Sequence, residues 1–239
     1  MIEFKHVSFS YEPGKEVIRD LSFRLEEGES VGLIGANGAG KSTVMKLLLG
    51  LVSGEGEITV GGLRLEKESL AEIRRKIGFV LQNSDNQMFM PTVYDDMMFA
   101  PMNYGMTREE AEKKVDAVLA RLELTPLRNR YNHKLSGGEK KMAAVATILA
   151  MEPEAVLMDE PTSALDPYNR RLIIRTICGM KETKLIASHD LDMILDCCGR
   201  VILLSEGRIA ADGRAEEVLR DKALLEANHL ELPLSLSRG

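Results

Sequence analysis

The sequence predicts an α/β protein whose core is a mainly parallel sheet, with an N-terminal antiparallel β subdomain and an inserted helical subdomain. Three observations carry that reading. First, the apolar run Val31-Gly32-Leu33-Ile34, a glycine loop from Gly35 to Thr43 and a helical run from Val44 to Leu49 follow in order, as in a parallel strand–loop–helix unit. Second, Ile2–Val7 and Leu21–Leu25 alternate apolar and polar residues, the pattern of strands with one wet face. Third, strand-like runs disappear between Asn83 and about Ala155, where helical patterns take over. The chain therefore divides into a sheet core with its β subdomain (1–82 and 152–213), a helical subdomain (83–151) and a short C-terminal tail (214–239), all within one domain spanning 1–239.

The first strand of the core ends in Gly35-Ala36-Asn37-Gly38-Ala39-Gly40-Lys41-Ser42-Thr43, which matches G-x-x-x-x-G-K-[ST]. Such a loop turns backbone amides toward a polyphosphate, so Gly35, Gly38 and Gly40 keep it bare and supply unusual backbone angles. Lys41 adds a point charge for the terminal phosphates, and the Ser42 hydroxyl is the expected Mg²⁺ ligand. The helix that follows adds partial positive charge at the same place. These residues predict a P-loop nucleoside-triphosphatase core.

Along the rest of the chain, Tyr11 is expected in a polar turn with Glu12-Pro13-Gly14, placed there by chance or to stack on a base. Gly56–Gly62 reads as a strand and turn, and Ser69-Leu70-Ala71-Glu72 as a capping box opening a helix to about Lys76. Ile77–Leu81 is a buried strand ending at Gln82. Two helices are expected in the inserted region, opened by the capping boxes Thr107–Glu110 and Ser136–Glu139. Ala155–Met158 is a strand ending in Asp159-Glu160, and Asp166-Pro167 opens a helix to about Met180. Leu185–Ser188 is a strand ending at His189, Asp190 caps the next helix, and Glu206-Gly207 joins a terminal hairpin. Three buried strands thus end in Gln82, Asp159-Glu160 and His189, on the sheet edge where open α/β sheets place ligands.

Composition bounds the partners. The apolar content of 44% and charged content of 28% are those of a soluble globular protein. A net charge of -6 argues against a general nucleic-acid binder. No apolar run approaches the ~20 residues of a membrane helix, and the N-terminus lacks a signal-peptide pattern. Cys178, Cys197 and Cys198 show no metal-site spacing and, being odd in number, suggest no disulfide framework. Vicinal Cys197-Cys198 is expected as two packing residues in a reducing cytosol rather than as a redox pair.

Leu135-Ser136-Gly137-Gly138-Glu139 resembles the signature of ATP-binding-cassette ATPases, as a variant of Leu-Ser-Gly-Gly-Gln. Tyr11, the phosphate loop, Gln82, Asp159-Glu160, Ser163-Ala164-Leu165-Asp166 and His189 match that family's elements in order, over nearly the whole chain. Within it, Gln82–Phe89, Pro91–Asp96, Leu-Ser-Gly-Gly-Glu-Lys-Lys and Ala150–Pro153 are similar to ATPase subunits of energy-coupling-factor importers, most of all the cobalt/nickel type. The C-terminal extension that adds dimer contacts in vitamin-type subunits is shorter here, which leaves those contacts open.

The resemblance implies a head-to-tail dimer, of two copies or with a paralogue, around two ATP molecules. A polytopic transmembrane coupling subunit and a substrate-binding membrane component would complete the importer, with this subunit on the cytoplasmic face of the membrane. It assigns Lys41 and the loop amides to the β- and γ-phosphates, and Ser42, Asp159 and Gln82 to Mg²⁺. Glu160 becomes the general base, Gln82 the contact to the attacking water, His189 the γ-phosphate contact and Tyr11 the adenine stack. Ser136, Gly137, Gly138 and Asp166 act across the dimer. Asp85, Asp95 and Asp96 are expected to meet arginines of the membrane subunit's coupling helices. A soluble cassette ATPase without a transport role, and a nucleotide-gated scaffold with negligible turnover, are the competing readings.

Overall fold

The computed structural model describes residues 1–237. Its six-stranded sheet has the order β10-β9-β3-β8-β7-β6, built from β3 (Ser30–Ile34), β6 (Ile77–Val80), β7 (Ala155–Asp159), β8 (Thr183–Ala187), β9 (Arg200–Ser205) and β10 (Arg208–Arg214). Every pairing is parallel except the hairpin β9–β10. A four-stranded antiparallel sheet, β2-β1-β4-β5, lies beside it. Its strands are β1 (Ile2–Glu12), β2 (Lys15–Leu25), β4 (Glu55–Val60) and β5 (Leu63–Arg64).

Uninterrupted apolar runs become strands here because both faces of the large sheet are covered. Val31 and Leu33 of β3 face one core, with Leu157, Leu185, Ala187, Ile202 and Leu204 from the neighbouring strands. The alternate residues Ile34, Val156, Met158, Ile186, Val201 and Leu203 face a second core on the other side. The first core is closed by the antiparallel sheet together with α1 (Lys41–Leu48) and α2 (Leu70–Lys76). The second is closed by α3 (Val93–Asn103), α4 (Arg108–Arg121), α5 (Gly137–Leu149), α6 (Pro167–Cys178) and α7 (Leu191–Cys197). The short helices α8 (Ala215–Arg220) and α9 (Lys222–Ala227) follow the hairpin.

Several local expectations are revised. Tyr11 belongs to the last residues of β1 rather than to the turn, which is confined to Pro13-Gly14. Thr107 and Ser136 form complete capping boxes, but Ser69 does not cap α2. It has helical backbone angles itself, and its hydroxyl is held by the carbonyls of Arg64 and Glu66. A third helix in the inserted region, α3, was absent from the sequence expectations; Thr92 caps it by accepting from the Asp95 amide, and it holds Pro101. The cysteines are not all simple packing residues. The C-terminal ends of α6 and α7 meet, and Cys178 and Cys197 form a disulfide there. Cys198 stays a free thiol, pushed up to about 12 by burial.

Candidate functional site

The C-terminal edge of the parallel strands forms a cleft of about 800 Å³. β3 delivers the phosphate loop to it. Gly35, Gly38 and Gly40 have φ of 152°, 82° and 110°, angles open to glycine. Two of these positions are also filled by the protein itself. A Cβ at Gly35 would lie 2.4 Å from the Leu204 carbonyl oxygen, and one at Gly40 would lie 2.7 Å from Ile18 Cδ1. At Gly38 nothing lies within 4 Å, so that flank faces open space.

Lys41 begins α1 and is buried. Its ammonium donates to the carbonyls of Gly35 (2.6 Å) and Ala36 (3.1 Å) and lies 3.4 Å from His189 Nε2. Burial lowers its proton affinity, against the opposing pull of Glu160 and Asp159. Ser42 Oγ donates to Asp159 Oδ2 at 3.1 Å, joining the loop to the end of β7. Thr43 Oγ1 lies 3.4 Å from the Tyr11 hydroxyl. The Tyr11 ring is 52% exposed, braced edge-on by Phe9, and lines the same cleft with Asn37 and Ala39.

Glu160 has φ of 47°, a left-handed conformation uncommon for a side-chain-bearing residue. Its carboxylate accepts from the His189 amide (3.0 and 3.2 Å) and from Ser188 Oγ (3.1 Å). The strand ends of β7 and β8 are thereby tied through the proposed base. Asp190 extends this junction. It caps α7, accepts from Thr162 Oγ1 and forms a bidentate pair with Arg170 of α6 at 2.6 Å for both bonds. Burial pushes its carboxyl up, but Arg170, the Met193 amide and Thr162 together hold it below the usual range. Ser188, Thr162 and Arg170 were not singled out in the sequence, because their partners lie on other elements. Their only local signal is position, one residue before His189 for Ser188 and on the helix capped by Asp166 for Arg170.

The cleft gathers Tyr11, Asn37 to Thr43, Gln82, Asp159, Glu160 and His189. Ser42, Asp159 and Gln82 offer hydroxyl, carboxylate and amide oxygens together. That donor set suits Mg²⁺, which takes one or two carboxylates alongside phosphate and water oxygens. Ser136, Gly137, Gly138 and Asp166 do not line this cleft. Ser136 caps α5, and Asp166 caps α6 by accepting from the amides of Tyr168 and Asn169 and from the Asn169 side chain.

The acidic group after Gln82 is not arranged as expected. Asp96 is 2% exposed and accepts from the Phe89 and Met90 amides and from Asn132 Nδ2. Asp95 holds the Thr92 hydroxyl, and Asp85 pairs with Lys140. Asp85 stays exposed, and large apolar side chains share the surface of this region. Phe89 (65% exposed) and Phe99 (43%) stand edge to face at 4.8 Å, with Met102 also exposed.

A phosphate loop opposed by a strand-end acid pair and a histidine defines a P-loop nucleoside triphosphatase. The profile of the ABC transporter family matches residues 18–163, more than half of the 239-residue chain. The chain belongs to that family and is an ATPase. It is 41% identical to the energy-coupling factor transporter ATP-binding protein EcfA of Methanothermobacter thermautotrophicus, over 98% of this chain and 77% of that protein. The EcfA of Methanocaldococcus jannaschii is 37% identical over 98% of this chain and 86% of its own. CbiO1 of Clostridium perfringens, part of the ABC transporter complex CbiONQ, superposes with a TM-score of 0.86 at 30% identity, covering 99% of this chain and 97% of its own. The dimeric cassette MJ0796, in a post-hydrolysis state with ADP and Pi, gives 0.79 at 28% identity over 90% and 99%.

Proposed function

We propose that this ATPase pairs head to tail around two ATP molecules and powers uptake through an energy-coupling-factor importer, with cobalt or nickel ions as cargo. The observation that carries the dimer is the division of the site. One cleft holds the phosphate loop, Gln82, Asp159, Glu160 and His189, while the anion-binding helix end at Ser136–Gly138 and the Asp166 turn lie outside it. A partner chain would supply the missing elements, and the similar MJ0796 cassette is dimeric. Likeness to EcfA and CbiO1, and the similarity of Gln82–Asp96 to the cobalt/nickel type, support the importer and its cargo.

In this mechanism Tyr11 stacks on adenine, and Lys41 with the loop amides from Gly35 to Gly40 holds the β- and γ-phosphates. Ser42, Asp159 and Gln82 would hold Mg²⁺, which when bound neutralises charge on the phosphoryl oxygens. Gln82 orients water and Glu160 takes its proton as oxygen attacks the γ-phosphorus and the bond to the β,γ-bridging oxygen breaks, releasing ADP; His189 contacts the γ-phosphate. Glu160 is already held beside the His189 amide, so the base and the γ-phosphate contact move together. Phe89, Phe99 and Met102 form the surface for a transmembrane subunit's coupling helix, in place of the carboxylates expected from sequence. The working position is therefore peripheral, on the cytoplasmic membrane face.

The test is purification of the subunit from membranes, followed by mass spectrometry and metal-uptake assays. A polytopic partner and a substrate-binding membrane component should copurify, and both should be lost from Phe89→Asp/Phe99→Asp while ATPase activity persists. Absence of any polytopic partner would favour a soluble cassette. Uptake that ignores Co²⁺ and Ni²⁺ would remove the cargo assignment alone.

A further inference from the structure

One buried charge has no part in the mechanism above. Lys141 lies in α5 and is 3% exposed, and no carboxylate of the described residues forms an ion pair with its ammonium. The ammonium donates instead to two main-chain carbonyls where β6 ends, Leu81 at 3.1 Å and Gln82 at 2.6 Å. A second side chain makes a parallel link. Gln87 accepts from the Leu81 amide (3.0 Å) and donates to the Ala144 carbonyl of α5 (2.8 Å). Below them Ile148 sits so close to β6 that a Cβ at Gly78 would come within 2.1 Å of it. Positions 141, 144 and 148 fall on one face of the helix, so these contacts form a continuous seam.

A seam needs no charge. Burying an ammonium without a carboxylate partner is unfavourable, and an apolar residue would fill the same space at less expense. What the ammonium adds is direction: one group with several donors holds both carbonyls that flank the Gln82 main chain.

We propose that Lys141 is a positioning residue that fixes Gln82 to the helix carrying Ser136 and Gly138, so that the two move as one piece. Seating of the partner's phosphate at the start of α5 would then be felt directly at Gln82. A rigid-body shift of the helical subdomain would carry Gln82 with it rather than slide past it. The proposal rests on the reading of Gln82 as the contact to metal and water.

The test compares Lys141→Met, Lys141→Arg, Gln82→Ala and the double variant Gln82→Ala/Lys141→Met. Lys141→Met keeps length and loses every donor. Its kcat is expected to fall about 10- to 100-fold, the range for losing hydrogen bonds from a charged group. Binding of a fluorescent ATP analogue should be unchanged, the Tm equal or higher, and amide exchange faster through Leu81–Ser84. Lys141→Arg should recover part of the rate, and the double variant should be no slower than Gln82→Ala alone. Normal turnover in Lys141→Met, a rate loss matched by a lower Tm, or additive losses in the double variant would overturn the proposal. Full activity in Gln82→Ala would overturn the role of Gln82 and this proposal with it. A slow Gln82→Ala beside a normal Lys141→Met would overturn the seam's role alone.

Discussion

The proposed mechanism has two helices offering amides to phosphate, and they begin differently. α1 starts from Gly40, with φ of 110°, no side-chain cap and no acidic residue in its first turn. α5 starts from a complete capping box: Ser136 Oγ accepts from the Glu139 amide (3.3 Å) and Glu139 accepts from the Ser136 amide (2.8 Å). Arg130 pins the same carboxylate at 2.8 Å. A missing cap costs about 1 kcal/mol, so the start of α1 is incomplete until an anion arrives. The start of α5 is mostly satisfied, leaving the first-turn amides of Gly137 and Gly138 for an outside acceptor. Gly138 also has a reason internal to the chain, since a Cβ there would lie 2.1 Å from Asn169 Cγ. On the proposed mechanism, the contrast separates a standing phosphate site from a conditional one, which engages only when a partner brings the phosphate.

The largest effect that sharpens this contrast lies beside the α1 site. Glu160→Gln should lower kcat by about 10²–10⁴, the usual share of a general base. ATP binding should survive, with an ATP-bound dimer accumulating in light scattering, and wild-type turnover would remove Glu160 from the mechanism. Next in size, Lys41→Ala should weaken ATP binding about 100-fold in titration calorimetry, since a charge-assisted phosphate contact is lost. Ser136→Arg tests the other helix. Its binding of ATP as a monomer should match the unaltered chain, while its hydrolysis fails. Mixed with Lys41→Ala chains it should leave at most one competent site per heterodimer, and loss of monomer binding would collapse the distinction between the two helices.

The standing site was the more legible of the two in the sequence. Gln82, Asp159-Glu160 and His189 end apolar runs, and ends of parallel strands share one edge, so order along the chain became proximity in space. The capping boxes at Thr107 and Ser136 could be read because the cap is a local interaction. Ser69-x-x-Glu72 carries the same pattern and fails, because its hydroxyl found carbonyls earlier in the chain. α3 did carry the cap signal of Thr92 and Asp95, hidden by Pro101 and a polar first turn. Asp96, Lys141 and the Cys178–Cys197 pair depend on elements brought together only by folding. No spacing rule could show that Asp96 faces inward while Phe89 faces out.

The smallest effect is expected at Glu139, where the two helices differ by one charge. The Ser136 amide first, then its hydroxyl and Arg130, hold the Glu139 carboxyl below its ordinary 4.5 despite some burial. A folded-state value below the unfolded one makes the ionised form stabilising at every pH above 4.5. That contribution is lost as pH falls through the folded value. Glu139→Gln retains the reach-back hydrogen bond, because glutamine also closes a capping box. It removes the negative charge beside the amides that a partner's phosphate must use. At neutral pH the variant should therefore melt about 1–3 °C lower, and the gap should close in melts taken well below pH 4.5. Its KM for ATP in dimeric hydrolysis should drop about two- to fivefold, the range for one charge at a helix terminus. A lower Tm with an unchanged KM would make the box a purely structural cap. An unchanged Tm with a lower KM would show that its charge acts only on the incoming phosphate.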